Sequence, residues 1–162
     1  MTGDRLQSVE TSTGLISSPA LRQFVATDMN DIVHTVVGCT RPYLSGHTVL
    51  SIETCGDLPP IRGNQERLAD VLFALLFRAE RSIAIAARTT SMIRIQTTAT
   101  DRDVRLKLSD DGFDSGIGET LIPDPCLGLT ECAEIISDHG GRMYSWHPNA
   151  GGASYTIILP VL

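Results

Sequence analysis

The chain has 162 residues, 42 % of them hydrophobic, and a formal net charge of −6. That length is one domain of ordinary size, and so large an apolar share excludes a disordered chain. The negative balance argues against a broad phosphate-binding surface for nucleic acid, and the longest apolar run, Val71 to Phe77, is far too short to cross a membrane.

Residues 1–18 are polar and aperiodic, which predicts a linker or the frayed end of an upstream element, with one domain over 19–162. Phe24 to Thr27 is a short β candidate. Asp28 or Asn30 then caps a helix whose apolar positions are Ile32, Val33, Val36 and Val37, with Pro42 near its end. His47 to Thr54 reads as a strand around Val49–Glu53, and Leu58-Pro59-Pro60-Ile61 as an extended connector, because proline excludes helix there. Asn64 caps the strongest helix. Its stripe is Leu68, Val71, Leu72, Leu75, Leu76, Ala79 and Ile83, while Arg78 and Ala74 lie on a flank about 100° away. Phe73 and Phe77 point elsewhere and need a second packing partner, such as a neighbouring helix.

Ser91–Ala99 and Val104–Ser109 alternate apolar and polar residues and predict a hairpin through Asp101-Arg102-Asp103. A loop from Asp110 to Cys126 follows. Leu127 to His139 reads as a helix with Leu129, Cys132, Ala133 and Ile136 on one face, stopped by Gly140-Gly141. Met143–Trp146 and Ser154–Leu159 close the chain as strands, with a turn at Pro148–Gly152 between them. Hairpins imply a mostly antiparallel sheet, so the helices sit on one face: a two-layer α/β sandwich. Cys39, Cys55, Cys126 and Cys132 lack zinc-ligand spacing and are expected to be reduced thiols. His34, His47, His139 and His147 are isolated, and structural or surface roles are expected for them. No basic, apolar leader follows Met1, so a cytoplasmic setting without direct membrane insertion is expected, for a chain that could be a fragment of a tethered protein.

An ordered set of motifs runs from Asp28–Val33, through Leu58–Asn64 and the long helix, to Asp110-Asp111-Gly112, Leu127-Gly128-Leu129, His139-Gly140-Gly141 and Gly152–Pro160. In this order they resemble the ATP-binding catalytic domain of sensor histidine kinases, of the wider superfamily with gyrase B and Hsp90, over nearly the whole chain. The resemblance implies a Bergerat-type α/β sandwich, ATP and Mg²⁺ as ligands, and γ-phosphoryl transfer to a histidine. It also implies which residues would meet nucleotide: Asp110, Gly112, Gly128, Leu129, Ala74 and Arg78.

Each nucleotide box departs from the family pattern. D-x-G-x-G, whose carboxylate reads the adenine amino group, appears as Asp110-Asp111-Gly112-Phe113-Asp114, without the second glycine. G-x-G-L-G-L appears as Asp124-Pro125-Cys126-Leu127-Gly128-Leu129, in which Pro125 offers no donor and Asp124 repels phosphate. N-x-x-x-N-A on the long helix appears as Ala74-Leu75-Leu76-Phe77-Arg78-Ala79. Ala74 cannot act as a base, and a guanidinium has no acceptor with which to hold Mg²⁺. No histidine sits in the H-E-x-x-[NS]-P setting of a phosphoacceptor helix.

Three readings follow. The first is a degenerate signalling module without catalytic or metal residues, with weak or absent ATP binding and no Mg²⁺. In it Arg78 pairs with Asp110, Asp111 or Asp114 across the pocket. The second is an active domain in which Arg78 replaces the metal's charge and the phosphoacceptor domain comes from elsewhere. The third is a partner-sequestering module of the anti-sigma type, gripping a signalling protein through its helix layer. Oligomeric state stays open in all three.

Overall fold

A computed structural model of the chain describes residues 23–86, 89–112, 127–147 and 151–162. The expected linker over 1–18 and the residues Asp114, Asp124, Pro125 and Cys126 lie outside them, as does 148–150 of the last turn.

Strand β1 (Val25–Thr27) leads into helix α1 (Met29–Thr40). Asp28 is the cap: its carboxylate accepts the Asn30 N–H at 2.8 Å, satisfying one of the helix's free donors. Met29, Ile32, Val33, Val36 and Val37 recur at helical spacing, and all are buried. Pro42 turns the end into a 3₁₀ segment, Arg41–Tyr43. After β2 (Thr48–Glu53) comes β3 (Ile61–Gly63), which pairs antiparallel with β1. The connector through Pro59-Pro60 therefore ends in a strand that its proline content alone does not announce.

Asn64 caps α2 (Gln65–Ala86), accepting the Arg67 N–H on Oδ1 at 3.1 Å. The whole expected stripe from Leu68 to Ile83 is buried. Each such Leu, Ile or Val side chain contributes about 1.5–3 kcal/mol when withdrawn from water. β4 (Ser91–Ala99) and β5 (Asp103–Asp110) form the expected hairpin, and β6 (Arg142–Trp146) and β7 (Ala153–Pro160) close the sheet. The order is β2-β4-β5-β7-β6. β2 runs parallel to β4, as a helical crossover through α2 requires, and the other neighbours are antiparallel. The result is a mixed, mostly antiparallel sheet with the helices on one side. Ile93, Ile95, Val104, Leu106, Leu108, Tyr155, Ile157 and Leu159 form the inner face.

Helix α3 spans Leu129–Asp138. Its buried face is Cys132, Ile135 and Ile136; Ala133, expected inside, is exposed. At about 100° per residue, Ile135 falls beside Cys132 on the core side and Ala133 turns the other way. The helix ends at Gly140, with φ +74°. There Gly140 N–H donates to Ser137 O at 2.9 Å and Gly141 N–H to Ile136 O at 3.0 Å, the paired bonds of a Schellman stop. Among the described residues no helix is long and apolar enough to cross a membrane.

Candidate functional site

Ala74, Arg78 and Ser82 follow one another at intervals of four along α2, on the flank beside its core stripe. All three are buried. Arg78 is only 9 % exposed, so its guanidinium does not reach out to bulk water as a surface arginine would.

The end of β5 meets this helix one turn beyond Arg78. A Cβ on Gly112 would overlap the Ser82 carbonyl carbon and stand 2.5 Å from Ile83 N and 2.6 Å from Ser82 Oγ. Glycine is thus the residue that lets the β5 exit lie against the helix backbone. The other side of the exit is pressed by the turn before β7: Gly152, at φ +83°, sits where a Cβ would overlap the Asp110 carbonyl oxygen.

The two neighbouring carboxylates have different partners. Asp110 is half-buried, and its Oδ1 accepts the Gly112 N–H at 2.9 Å, which tightens the exit into a turn. Asp111 faces the sheet instead. Its Oδ1 accepts the Met92 N–H at 2.9 Å while its own N–H donates to Met92 O at 3.3 Å, prolonging the β4–β5 pairing by one residue. Asp111 Oδ1 is therefore taken up by the β4 backbone and is not left free for Arg78. Asp114, the third suggested partner, lies outside the described residues.

Gly128 is the N-cap of α3, with extended backbone and no side-chain acceptor, and Leu129 opens the helix half-buried. A Cβ at Gly128 would meet nothing within 4 Å, so the helix start has no packing need for glycine. The structure sets Gly112, two residues after Asp110, against α2 at Ser82, one turn beyond Arg78 and two beyond Ala74, and α3 packs on α2 as well. It places Gly128 and Leu129 on the adjoining helix. Gly152 opens the terminal motif read from the sequence, without its contact with Asp110, whereas Ser82 was not singled out and was accessible only by counting one turn on from Arg78.

His139 joins the two helices behind this site. Its Nδ1–H donates to Ile135 O at 2.7 Å, and Nε2 accepts the Asn64 N–H at 3.0 Å, so the end of α3 holds the start of α2. This arrangement needs the neutral ring with the proton on Nδ1. Burial lowers the imidazole pKa below 6.5, and the nearby Arg67 charge adds to the effect. A structural role for His139, as expected from its isolation, fits both bonds.

Phe77 is half-buried, while Phe73 remains 43 % exposed. Both line an apolar cavity of about 320 Å³ with Thr40, Tyr43, Leu44 and Leu76, at the end of α1. The first helix therefore covers this pair only in part.

No protein-family model matches the chain. In sequence it is similar to the C4-dicarboxylate transport sensor protein DctS of Rhodobacter capsulatus, 24 % identical over 86 % of the chain, and to the sensor histidine kinase ZraS of Salmonella typhi, 28 % identical over 98 %. It spans 23 % and 36 % of the length of these curated relatives. In structure it is similar to the catalytic domain of histidine kinase ThkA, with a TM-score of 0.69 and 20 % identity over 86 % of this chain and 96 % of that one. The ATP binding domain of PrrB from Mycobacterium tuberculosis follows at 0.65 and 18 %, covering 86 % and 98 %. ThkA in complex with the response regulator TrrA gives 0.67 and 21 %, covering 99 % and 49 %. The fold is that of histidine kinase ATP-binding catalytic domains.

Proposed function

We propose that this chain is a histidine-kinase-type ATPase-like domain that works as a two-component signalling module and binds ATP weakly or not at all. The observation that carries the reading is the burial of Arg78 on the pocket flank of α2. A cation fills the place where the resembled family puts a metal-binding amide. Mg²⁺ requires oxygen ligands in near-octahedral array, and a guanidinium has none. The residues at this position do not fit that ion. By the resemblance Asp110 and Gly112 would recognise adenine, and Asp110 Oδ1 is already engaged by the Gly112 N–H.

Gly128 and Leu129 stand at the start of α3, where phosphates would approach, but the cap supplies no charge that attracts them. The relatives support the signalling reading: sensor proteins by sequence, and a solved complex between a kinase of this fold and a response regulator. The partner is accordingly a response regulator or a phosphoacceptor domain, on the same protein or another.

Isothermal calorimetry with a non-hydrolysable ATP analogue, with and without Mg²⁺, tests this. The wild-type chain is expected to show no Mg²⁺-dependent heat. Arg78→Asn is expected to gain a metal-dependent component, because the amide restores an oxygen donor. Micromolar, Mg²⁺-dependent binding by the wild type would refute the proposal.

A second reading, a partner-gripping helix layer, is favoured by the Phe73 cavity. The polar groups there are already used: Thr40 Oγ1 donates to Val36 O at 2.7 Å, and Glu80 accepts from Ser45 N at 2.8 Å and Thr48 Oγ1 at 3.0 Å. The cavity suits an apolar side chain of a partner. Sedimentation at several concentrations, wild type against Phe73→Ser, separates self-association through this cavity from a lone monomer.

A further inference from the structure

The helices cover one face of the sheet and leave the other to solvent. On that face the register aligns Arg142 with Ile158 and Arg105, Tyr144 with Thr156, Lys107, Gln96 and Glu53, and Trp146 with Ser154, Ser109 and Arg94. Residues two apart share a face, so Arg142, Tyr144 and Trp146 stand together along β6 beside the cations of β5 and β4. On a chain with net charge −6, this face carries Arg94, Arg105, Lys107 and Arg142 against Glu53, Asp103 and, just past β5, Asp111, whose Oδ1 already accepts the Met92 N–H.

Those cations are not equally engaged. Arg94 lies 3.8 Å from the Glu53 carboxylate, which also accepts from Gln96 Nε2 at 2.7 Å. Arg105, Lys107 and Arg142 form no ion pair among the described residues. Beside them, Tyr144 and Trp146 are 52 % and 66 % exposed. Aromatic and arginine side chains supply most of the binding energy where proteins meet, and isolated exposure of a tryptophan on an edge strand gives the fold nothing.

We propose that this open sheet face is a docking surface for an acidic protein surface, anchored on Tyr144 and Trp146 and oriented by Arg142, Arg105 and Lys107. Charge complementarity identifies the occupant. An anionic partner gains three cations that form no ion pair among the described residues, and the excess negative charge on the rest of the chain steers it to this one face. A nucleic acid would share the attraction to cations and aromatic rings. It would extend beyond so small a patch, however, onto acidic surroundings that repel a continuous polyanion.

The test is NMR on the ¹⁵N-labelled chain, titrated to millimolar with a nonapeptide of repeated Glu-Glu-Leu. A Lys-Lys-Leu nonapeptide and the oligonucleotide dT12 are run in parallel. Shifts are expected on β5, β7, β6 and the Trp146 indole with the acidic peptide only. The charge reversals Lys107→Glu and Arg142→Glu together are expected to weaken that binding about tenfold, and Trp146→Ala to weaken it too. All are exposed positions, so the variants keep the fold, which their ¹⁵N spectra report directly. Equal binding of the basic peptide, tighter binding of dT12, shifts elsewhere on the molecule, or indifference to charge reversal would each overturn the proposal.

Discussion

Replacing Gly112 with alanine separates two explanations of why glycine stands there. The resemblance says it lets backbone approach an adenine. The structure says it lets β5 leave the sheet against α2, with no nucleotide involved. An added Cβ would meet the Ser82 carbonyl carbon, Ile83 N at 2.5 Å and Ser82 Oγ at 2.6 Å, whereas ordinary contact begins at 3.4 Å. Two of those three atoms belong to helix backbone and cannot rotate aside. The β5 exit must therefore retreat by roughly 1 Å, dragging the Asp110–Gly112 turn and the Asp111–Met92 pairing with it. The expected loss is about 1–3 kcal/mol in ligand-free protein. In urea unfolding this lowers the midpoint without changing the slope, and it lowers Tm by about 2–4 °C for each kcal/mol in a chain of this size. Adding Ser82→Ala removes only the hydroxyl contact, so it should recover little of the loss. A Gly112→Ala midpoint equal to wild type, or full rescue by Ser82→Ala, would show that the helix backbone is not what excludes the methyl group.

Three further outcomes are expected. Gly38 sits exposed inside α1 and a Cβ there meets nothing within 4 Å, so Gly38→Ala should raise stability by about 0.5–1 kcal/mol in the same assay; a loss would mean that α1 is not helical at that point. His139 is held neutral with its pKa below 6.5, so between that lowered value and 6.5 the unfolded chain binds more protons than the folded one. Stability should thus be full above 6.5 and decline as pH falls through that window. His139→Gln, whose amide oxygen can still accept from Asn64, should lack this part of the decline, and identical pH profiles would contradict it. The calorimetric gain expected of Arg78→Asn completes the set. If that variant folds as the wild type does yet gains no metal-dependent heat, Arg78 alone is not what limits metal binding, and the altered boxes at Asp110 and Gly128 are the next positions to test.

Much of this fold was legible because long periodic segments carry their own evidence. The α2 stripe, the β4–β5 alternation and the cap at Asn64 each follow from local chemistry that tertiary context does not override, and of the two candidates for the first cap the structure selects Asp28 over Asn30. β3 was not legible, since three residues after a pair of prolines are too few to show a period. Ala133 and Ile135 exchanged places because a ten-residue helix offers two candidate faces, and the position of the core chooses between them. The parallel pairing of β2 with β4 required seeing that α2 is the crossover between them. At the site, the glycines and the aspartate could be read as a motif, but not their partners. That Asp110 binds Gly112 while Asp111 binds Met92 depends on which way each side chain leaves the strand, and sequence spacing leaves the partner of each carboxylate open.

The division of labour on α2 separates the residues that hold the fold from those that would meet a ligand. Leu68, Val71, Leu72, Leu75, Leu76, Ala79 and Ile83 hold the helix on the sheet, and none of them would touch a nucleotide's metal. Ala74 and Arg78 occupy the adjoining flank, where a change of side chain alters what the pocket can bind but leaves the core stripe intact. Gly112 and Gly152 set how closely β5 and the turn before β7 approach that flank, and their spacing is required by backbone contacts. A flank built this way can change its side chains without disturbing the core, and at Arg78 it presents a guanidinium, which offers a divalent ion no oxygen. The exposed Tyr144 and Trp146 of the open sheet face, and the cations beside them, are likewise features that packing of the core does not require.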